Sequence, residues 1–259
     1  MLEAVEFLGV SDAFFGMSEL EMQQELLAIQ SSLEQKGYAE TDFDGNFTLT
    51  NEIRNAINIC ANCDTFIVVE NTEQIGMSSR KLFYVKDSSI IQLCESNKNT
   101  EIIPIASFDE LNKLIIEDII WKCTITQFTG MVTILNSIIE KIKCSLGGFD
   151  PSEGNELLKI NGCNNQLADT ICRGLSSGKN FIGISVTVFI GDEPGVKNAL
   201  FINDENCIIK MIQLGLYGEE QIKFETVSSA QAKNIITETL LCAFQKNELI
   251  NQITAEEFI

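Results

Sequence analysis

The sequence predicts an α+β chain of two pseudo-equivalent halves, residues 1–120 and 121–259, packed as one compact body. Three observations carry that expectation. First, the order of segments recurs. NEIRNAINICANCDTFI (Asn51–Ile67) aligns with NQLADTICRGLSSGKNFI (Asn165–Ile182), and LFYVKDSSIIQL (Leu82–Leu93) aligns with LFINDENCIIKM (Leu200–Met211). EIIPIASFDELNKLII (Glu101–Ile116) then aligns with QIKFETVSSAQAKNII (Gln221–Ile236). Second, inside each unit the apolar spacing passes from helical to alternating and back to helical. Third, 259 residues that are 45% hydrophobic are enough to bury a substantial core.

The elements follow in order. Val5–Gly9 is a short strand candidate, and residues 18–36 form a helix. Ser18 and Glu21 stand at capping-box spacing at its start, and Met17 and Met22 are placed as a hydrophobic staple. Leu20, Leu26, Leu27, Ile29 and Leu33 are the expected buried face of that helix. Ile53, Ile57 and Cys60, and their counterparts Leu167, Ile171 and Leu175, recur at helical spacing. TFIVVE (65–70) and FIGISVTVFI (181–190) are β-branched runs and read as strands. Leu82–Lys86 and Ile90–Cys94 flank a polar DSS turn, while Leu200–Asn203 and Cys207–Ile212 flank DEN; both read as hairpins. A third strand follows in each half, Glu101–Ala106 or Gln221–Val227. A helix then opens at Ser107-x-x-Glu110 or Ser228-x-x-Gln231, again at capping-box spacing. Between the units, Trp121–Gln127 is a strand candidate. Met131–Leu146 reads as a helix, with Ile134, Ile138, Ile139 and Ile142 on one stripe.

Charge narrows the function. The chain has 18 Lys+Arg, 37 Asp+Glu and no histidine, a net charge of −19. Such a surface repels nucleic-acid phosphates and anionic lipid headgroups, so no nucleic-acid partner is expected. Without His there is no Ser-His-Asp or Cys-His pair and no imidazole metal ligand. The excess is uneven: residues 1–120 carry 7 Lys+Arg against 21 Asp+Glu, a balance of −14, and residues 121–259 carry 11 against 16, a balance of −5. The two halves are therefore expected to face different surroundings. No apolar run reaches membrane-spanning length, and acidic Glu3 and Glu6 stand where a signal peptide would be basic. Nine scattered cysteines do not form a disulfide scaffold and read as reduced, packing thiols of a cytoplasmic protein.

The remaining motifs do not build a catalytic or metal site. Cys60-Ala-Asn-Cys63 is the sole CxxC and has no second ligand pair for zinc. It closes a helix rather than opening one, so the dipole opposes a reactive thiolate. Asp42-Phe43-Asp44-Gly45 matches the front of a calcium loop, but Ile53 occupies the position that needs Glu. The segments around Gly147-Gly148 and Gly191–Gly195 read as a linker and a turn, with no phosphate-binding glycine pattern. Glu219-Glu220 and Glu256-Glu257 read as solvated charge. The expectation is no catalytic residue, no metal and no cofactor.

Two segments have the character of contact surfaces. Asn71–Arg80 joins two strands and places Ile75, Gly76 and Met77 in an otherwise polar connection. Ala230–Phe244 carries Ala232, Ile235, Ile236, Leu240 and Leu241 at helical spacing, a stripe that by its general role reads first as core packing.

The two hairpins LFYVKDSSIIQL and LFINDENCIIKM, with the paired segments NEIRNAINICANCDTFI and NQLADTICRGLSSGKNFI, give a layout that resembles the EspG-type chaperones of type VII (ESX) secretion, or a firmicute relative associated with such loci. The resemblance rests on organisation over nearly the full length. It implies two pseudo-two-fold-related repeats forming a central, largely antiparallel sheet flanked by helical bundles. It also implies a non-enzymatic cytosolic chaperone that holds and delivers a small helical secreted protein. In such chaperones a long inter-strand loop and C-terminal helices grip the cargo. Here that implies partner contacts at Ile75, Gly76, Met77 and Arg80, and at Ile236 and Leu240.

Composition also fits a rival from another class, an acidic immunity protein that covers the active site of a basic toxin enzyme. A third reading, an enzyme using carboxylates or a reactive cysteine, requires one thiol to react far faster than the others.

Overall fold

A computed structural model describes residues 16–245 except 75–76, 97–98, 124, 145–150, 178–179, 191–192 and 216–219. The expected strand Val5–Gly9 lies outside the described residues. In chain order the elements are α1 (Glu19–Gln35), β1 (Ala39–Thr41), β2 (Phe47–Leu49), α2 (Asn51–Ala61), β3 (Thr65–Gln74), β4 (Met77–Lys86), β5 (Ser89–Ser96) and β6 (Asn99–Ile105). There follow α3 (Phe108–Asp118), β7 (Met131–Leu135), α4 (Asn136–Cys144), α5 (Pro151–Ile160) and α6 (Asn165–Ser177). The chain continues with β8 (Phe181–Ile190), β9 (Glu193–Asn203), β10 (Ile208–Leu214), β11 (Gln221–Val227) and α7 (Ser229–Leu241).

Nine strands form one antiparallel sheet in the order β6-β5-β4-β3-β8-β9-β10-β11-β7. Its centre is the β3–β8 pair, in register from Thr65 opposite Val188 to Thr72 opposite Phe181. Consecutive strands fan outward from that pair on both sides as far as β6 and β11, and a second long-range pairing adds β7 beyond β11. Residues alternate between the two faces along each strand. One face carries Ile67, Val69, Phe83, Ile182, Ile184, Val186, Val188 and Phe201, which α3 and α7 cover with Leu111, Ile115, Ala232, Ile236 and Leu240. On the opposite face α2 covers Leu82, Tyr84, Ile91 and Leu93. On that face too, α4, α5 and α6 cover Val132, Ile134, Ile202, Ile209 and Phe224.

Local chemistry sets the element ends. Asp87, at φ +55°, turns β4 into β5. Ser228 caps α7: the Gln231 N–H donates to Ser228 Oγ at 3.2 Å and the Ser228 N–H donates to Gln231 Oε1 at 2.8 Å. Ser18 and Glu21 do the same for α1, and Ser107 accepts from the Glu110 N–H at 3.2 Å at the start of α3.

Four sequence expectations are corrected. Trp121–Gln127 is not a strand. Its backbone is tied sideways instead, the Gln127 N–H donating to the Asn206 carbonyl at 3.0 Å. Met131–Leu146 is not one helix. Met131–Leu135 is a strand whose alternation buries Val132 and Ile134 against β11, and helix α4 begins only at Asn136. The helical stripe was real for Ile139 and Ile142, which α4 buries, but Ile134 belongs to the sheet. The apolar side of α1 is not buried among the described residues: Leu20, Leu26, Leu27 and Ile29 are 41–65% exposed. The connection Asn71–Arg80 is almost entirely strand, because β3 runs to Gln74 and β4 starts at Met77. The hairpin β1–β2 and helix α5 are additional elements. Asp42 organises that hairpin by accepting from the N–H groups of Asp44 at 2.9 Å and Asn46 at 2.8 Å.

The crossing between halves is fastened by one buried amide. Asn203 is 3% exposed; its Nδ2 donates to the Ile120 carbonyl at 2.8 Å, and its Oδ1 accepts from the Lys122 N–H at 3.1 Å. Its own N–H donates to the Asn180 carbonyl at 2.7 Å. Asn203→Ala strands two main-chain groups of the crossing, and urea unfolding is expected to report a loss of about 2 kcal/mol.

Candidate functional site

The helices on the second face leave its middle open. Helix α2 sits over β4 and β5, and α6 reaches the sheet at the far end of β9, where a Cβ on Gly174 would lie 2.8 Å from Ile202 Cγ2. Between them no described helix lies over the middle of β3, β8 and the first part of β9, although Phe66 and Val68 pack against the cluster under α2 and Phe181 against that under α6. Alternation dictates which residues these are. Strand β8 contributes Phe181, Gly183, Ser185, Thr187 and Phe189; β3 contributes Phe66, Val68, Glu70 and Thr72; β9 contributes Val196, Asn198 and Leu200. Val196 is 51% exposed and Leu200 43%, the opposite of the fully buried Ile184 and Val186 one residue away on β8's other face.

The shape follows from side-chain size. Gly183, Ser185 and Thr187 keep the midline of β8 low, with Phe66 and Val68 on one side and Val196 and Leu200 on the other. The three strands span about 10 Å, close to the diameter of one helix. A Cβ on Gly183 would meet Leu200 Cδ2 only at 3.4 Å, so the floor at that point is low but not crowded. At one end, Arg80 pairs with Glu70 at 3.5 Å, both side chains more than half exposed. Glu70 stands directly across from Gly183, so this ion pair borders the trough.

The residues expected to touch a partner are therefore divided. Arg80 is on the open face. Met77 begins β4 opposite Gln74, and Ile75 and Gly76 lie outside the described residues. Ile236 and Leu240 are each 0% exposed in the core under α7. The stripe on α7 is consequently packing, and those two side chains are not available as contact surface; this corrects the sequence expectation. Leu200, Val196 and the small residues of β8 were missed. A signal for them exists in FIGISVTVFI. Its even positions are uniformly Ile or Val, whereas its odd positions run Phe, Gly, Ser, Thr, Phe, which suits a face with no helix against it.

The cysteines are held as packing thiols. The eight cysteines whose side chains are described are free, and all of these but Cys94 are buried. Burial pushes Cys60, Cys63 and Cys163 up to about 11 and Cys207 to about 12. For Cys60 the neighbouring Cys63 adds to the burial effect, and for Cys207 the Asp204 carboxylate does. Among the described residues no group of three or more Cys, Asp or Glu is placed to hold a metal ion. No described helix is long and apolar enough to cross a membrane.

The chain shares its fold with the Mycobacterium tuberculosis type VII secretion system chaperone EspG5, whose structure was determined in complex with a PE25-PPE41 dimer. The superposition covers 82% of this chain and 83% of that one with a TM-score of 0.60, at 10% sequence identity. No protein-family model matches the sequence, and no curated protein matches it. That chaperone is mycobacterial, and the likeness gives no support to the firmicute origin expected from the sequence.

Two measurements separate core from surface. Ile236→Ala is expected to lower unfolding stability by about 3 kcal/mol, whereas Leu200→Ala changes it by less than about 1 kcal/mol. The thiols provide the second. Their folded pKa lies above the unfolded value of 9.0, so the native state retains protons that the unfolded chain releases. Stability is complete below pH 9 and falls as the pH rises from 9.0 towards about 11. Equilibrium unfolding across that window checks the sign, and disulfide-exchange labelling at pH 8 should modify Cys94 well before Cys60 or Cys207.

Proposed function

We propose that this chain is a non-enzymatic binding protein that holds a small helical secretion substrate on the open face of β3, β8 and β9, in the manner of a type VII secretion chaperone. The single observation carrying the reading is an exposed, partly apolar sheet face one helix wide, in the fold of a chaperone whose structure is known in complex with a PE25-PPE41 dimer. Helix-in-groove recognition needs an apolar strip with polar edges, which Val196, Leu200, Phe66 and Val68 provide beside Glu70, Arg80 and Asn198. Ile75, Gly76 and Met77, between Gln74 of β3 and Ser78 of β4 in sequence, serve as a second contact. We take residues 1–120 and 121–259 to be duplicated, pseudo-two-fold-related units, on the basis of the repeated order of elements around the β3–β8 pair. A cytoplasmic setting follows from the role.

The acidic composition is the feature that favours the second reading, an immunity protein bound to a basic toxin enzyme. Salt discriminates between the two, because an apolar trough tolerates ionic strength and a carboxylate surface does not.

The chain, affinity-purified from its native cell, is expected to bring down an equimolar small helical secreted protein that stays bound in about 0.5 M salt, several times the physiological ionic strength. Leu200→Glu and Gly183→Leu, the first placing a charge in the trough and the second filling it, should each weaken binding at least about tenfold with folding intact. Recovery of a toxic enzyme released by salt, or full binding by both variants, would overturn the proposal.

A further inference from the structure

The two edges of the sheet are not protected alike. Strand β6, at one end, carries Glu101 and Pro104 within its seven residues, a charge and a missing N–H that both discourage further pairing. Strand β7, at the other end, reads Met-Val-Thr-Ile-Leu, with no charge, no proline and no glycine. In a molecule of net charge −19, a strand without ionisable groups at a sheet edge is a local exception that needs an explanation.

Hydrogen bonds at its two ends fix how β7 is turned. The Thr226 N–H donates to the Gly130 carbonyl at 3.0 Å, and the Asn136 N–H donates to the Glu220 carbonyl at 2.8 Å. In an antiparallel ladder the bonding residues alternate, so the even positions face β11. The N–H and C=O groups of Met131, Thr133 and Leu135 therefore point out from the free edge. The side chains of these same residues are also on the open side of the strand, Met131 63% exposed and Leu135 45%. Beside them on β11, Lys223 and Glu225 pair at 3.0 Å, and Glu220 stands just beyond the ladder, where its carboxylate accepts from Asn136 Nδ2 at 3.3 Å.

We propose that β7 is a homodimerisation edge, pairing antiparallel with β7 of a second copy across a two-fold axis at Thr133. A two-fold axis at Thr133 pairs all five residues of the strand with those of the second copy, and a shifted register pairs fewer. Thr133 falls opposite Thr133 of the second copy and Met131 opposite Leu135, and each such pair exchanges two main-chain hydrogen bonds. Val132 and Ile134 then also meet across the axis, on the face already packed by α4. Every cross-strand pair is apolar or Thr–Thr, so no charged side chain is set against another along the five paired residues. The other half, with its balance of −14, is kept at the far end of the sheet. Strand β7 lies about 15 Å from β9, so the dimer leaves the open face of each copy unobstructed.

Sedimentation velocity on the full chain should show a monomer–dimer equilibrium between about 1 and about 100 µM, around the Kd on the order of 10 µM suited to a small edge interface. Thr133→Lys sets two ammonium groups against each other on the axis and should raise that Kd at least about tenfold. Thr133→Pro removes an N–H that no strand of the same molecule uses and should act likewise. Ile103→Lys on β6 should leave the Kd unchanged. In wild-type protein, amide exchange at Met131, Thr133 and Leu135 should slow as concentration rises, while Val132 and Ile134 stay protected throughout. A monomer at every concentration, or a dimer indifferent to both Thr133 variants, would overturn the proposal, including in favour of a strand donated by a different protein.

Discussion

The antiparallel pairing of β3 with β8 is the contact on which the rest of the molecule depends. Thr65–Thr72 and Phe181–Val188 are far apart in sequence, and their ladder converts two sequence-local hairpin sets into one nine-stranded sheet. Closing so long a loop is entropically costly, so the pair must be strongly supported by packing. It is: Ile67, Val69, Ile184 and Val186 all lie in the core that α3 and α7 cover from the two halves. Asn203 reinforces the join where the chain crosses over, by satisfying two main-chain groups that burial would otherwise leave unpaired.

The same pairing creates the open face. Each half brings its own helices to the second face, α2 over β4 and β5 in one and α4 to α6 over β9 to β11 in the other. Among the described residues neither half supplies a helix for the seam itself, so the face proposed for the partner is formed only where the two units join. The residues there agree, since Gly183, Ser185 and Thr187 make poor core and a good floor. Charge, cysteine chemistry and the absence of histidine fit this arrangement, because recognition by shape needs no reactive group.

How far the sequence anticipated these features can be traced residue by residue. The capping boxes at Ser18 and Ser228 were legible because they depend on neighbours three residues away. The hairpins around Asp87 and Asp204 were legible for the same reason. Met131–Leu135 was misassigned because Ile134 continues the helical spacing of Ile138 and Ile142, and only the β11 partner settles which period applies. The apolar residues of α1 read as a buried face, yet a stripe records only that residues share a side, not that another element covers it. Ile236 and Leu240 illustrate the converse: a stripe whose spacing reads first as core packing, and which the family resemblance offered to a partner, is core.

By itself, then, the sequence determined the α+β class, most element positions, the acidic imbalance between the halves and the inertness of the CxxC pair. It also determined the two unlike faces of FIGISVTVFI. Tertiary structure alone decided that β3 and β8 are neighbours, that the weaker face of β8 is left without a helix, and that β7 ends the sheet with an unguarded edge. The physical reason is range. Periodicity, capping and turn chemistry act over a few residues and are written in order along the chain, whereas coverage of a face depends on which distant element arrives there.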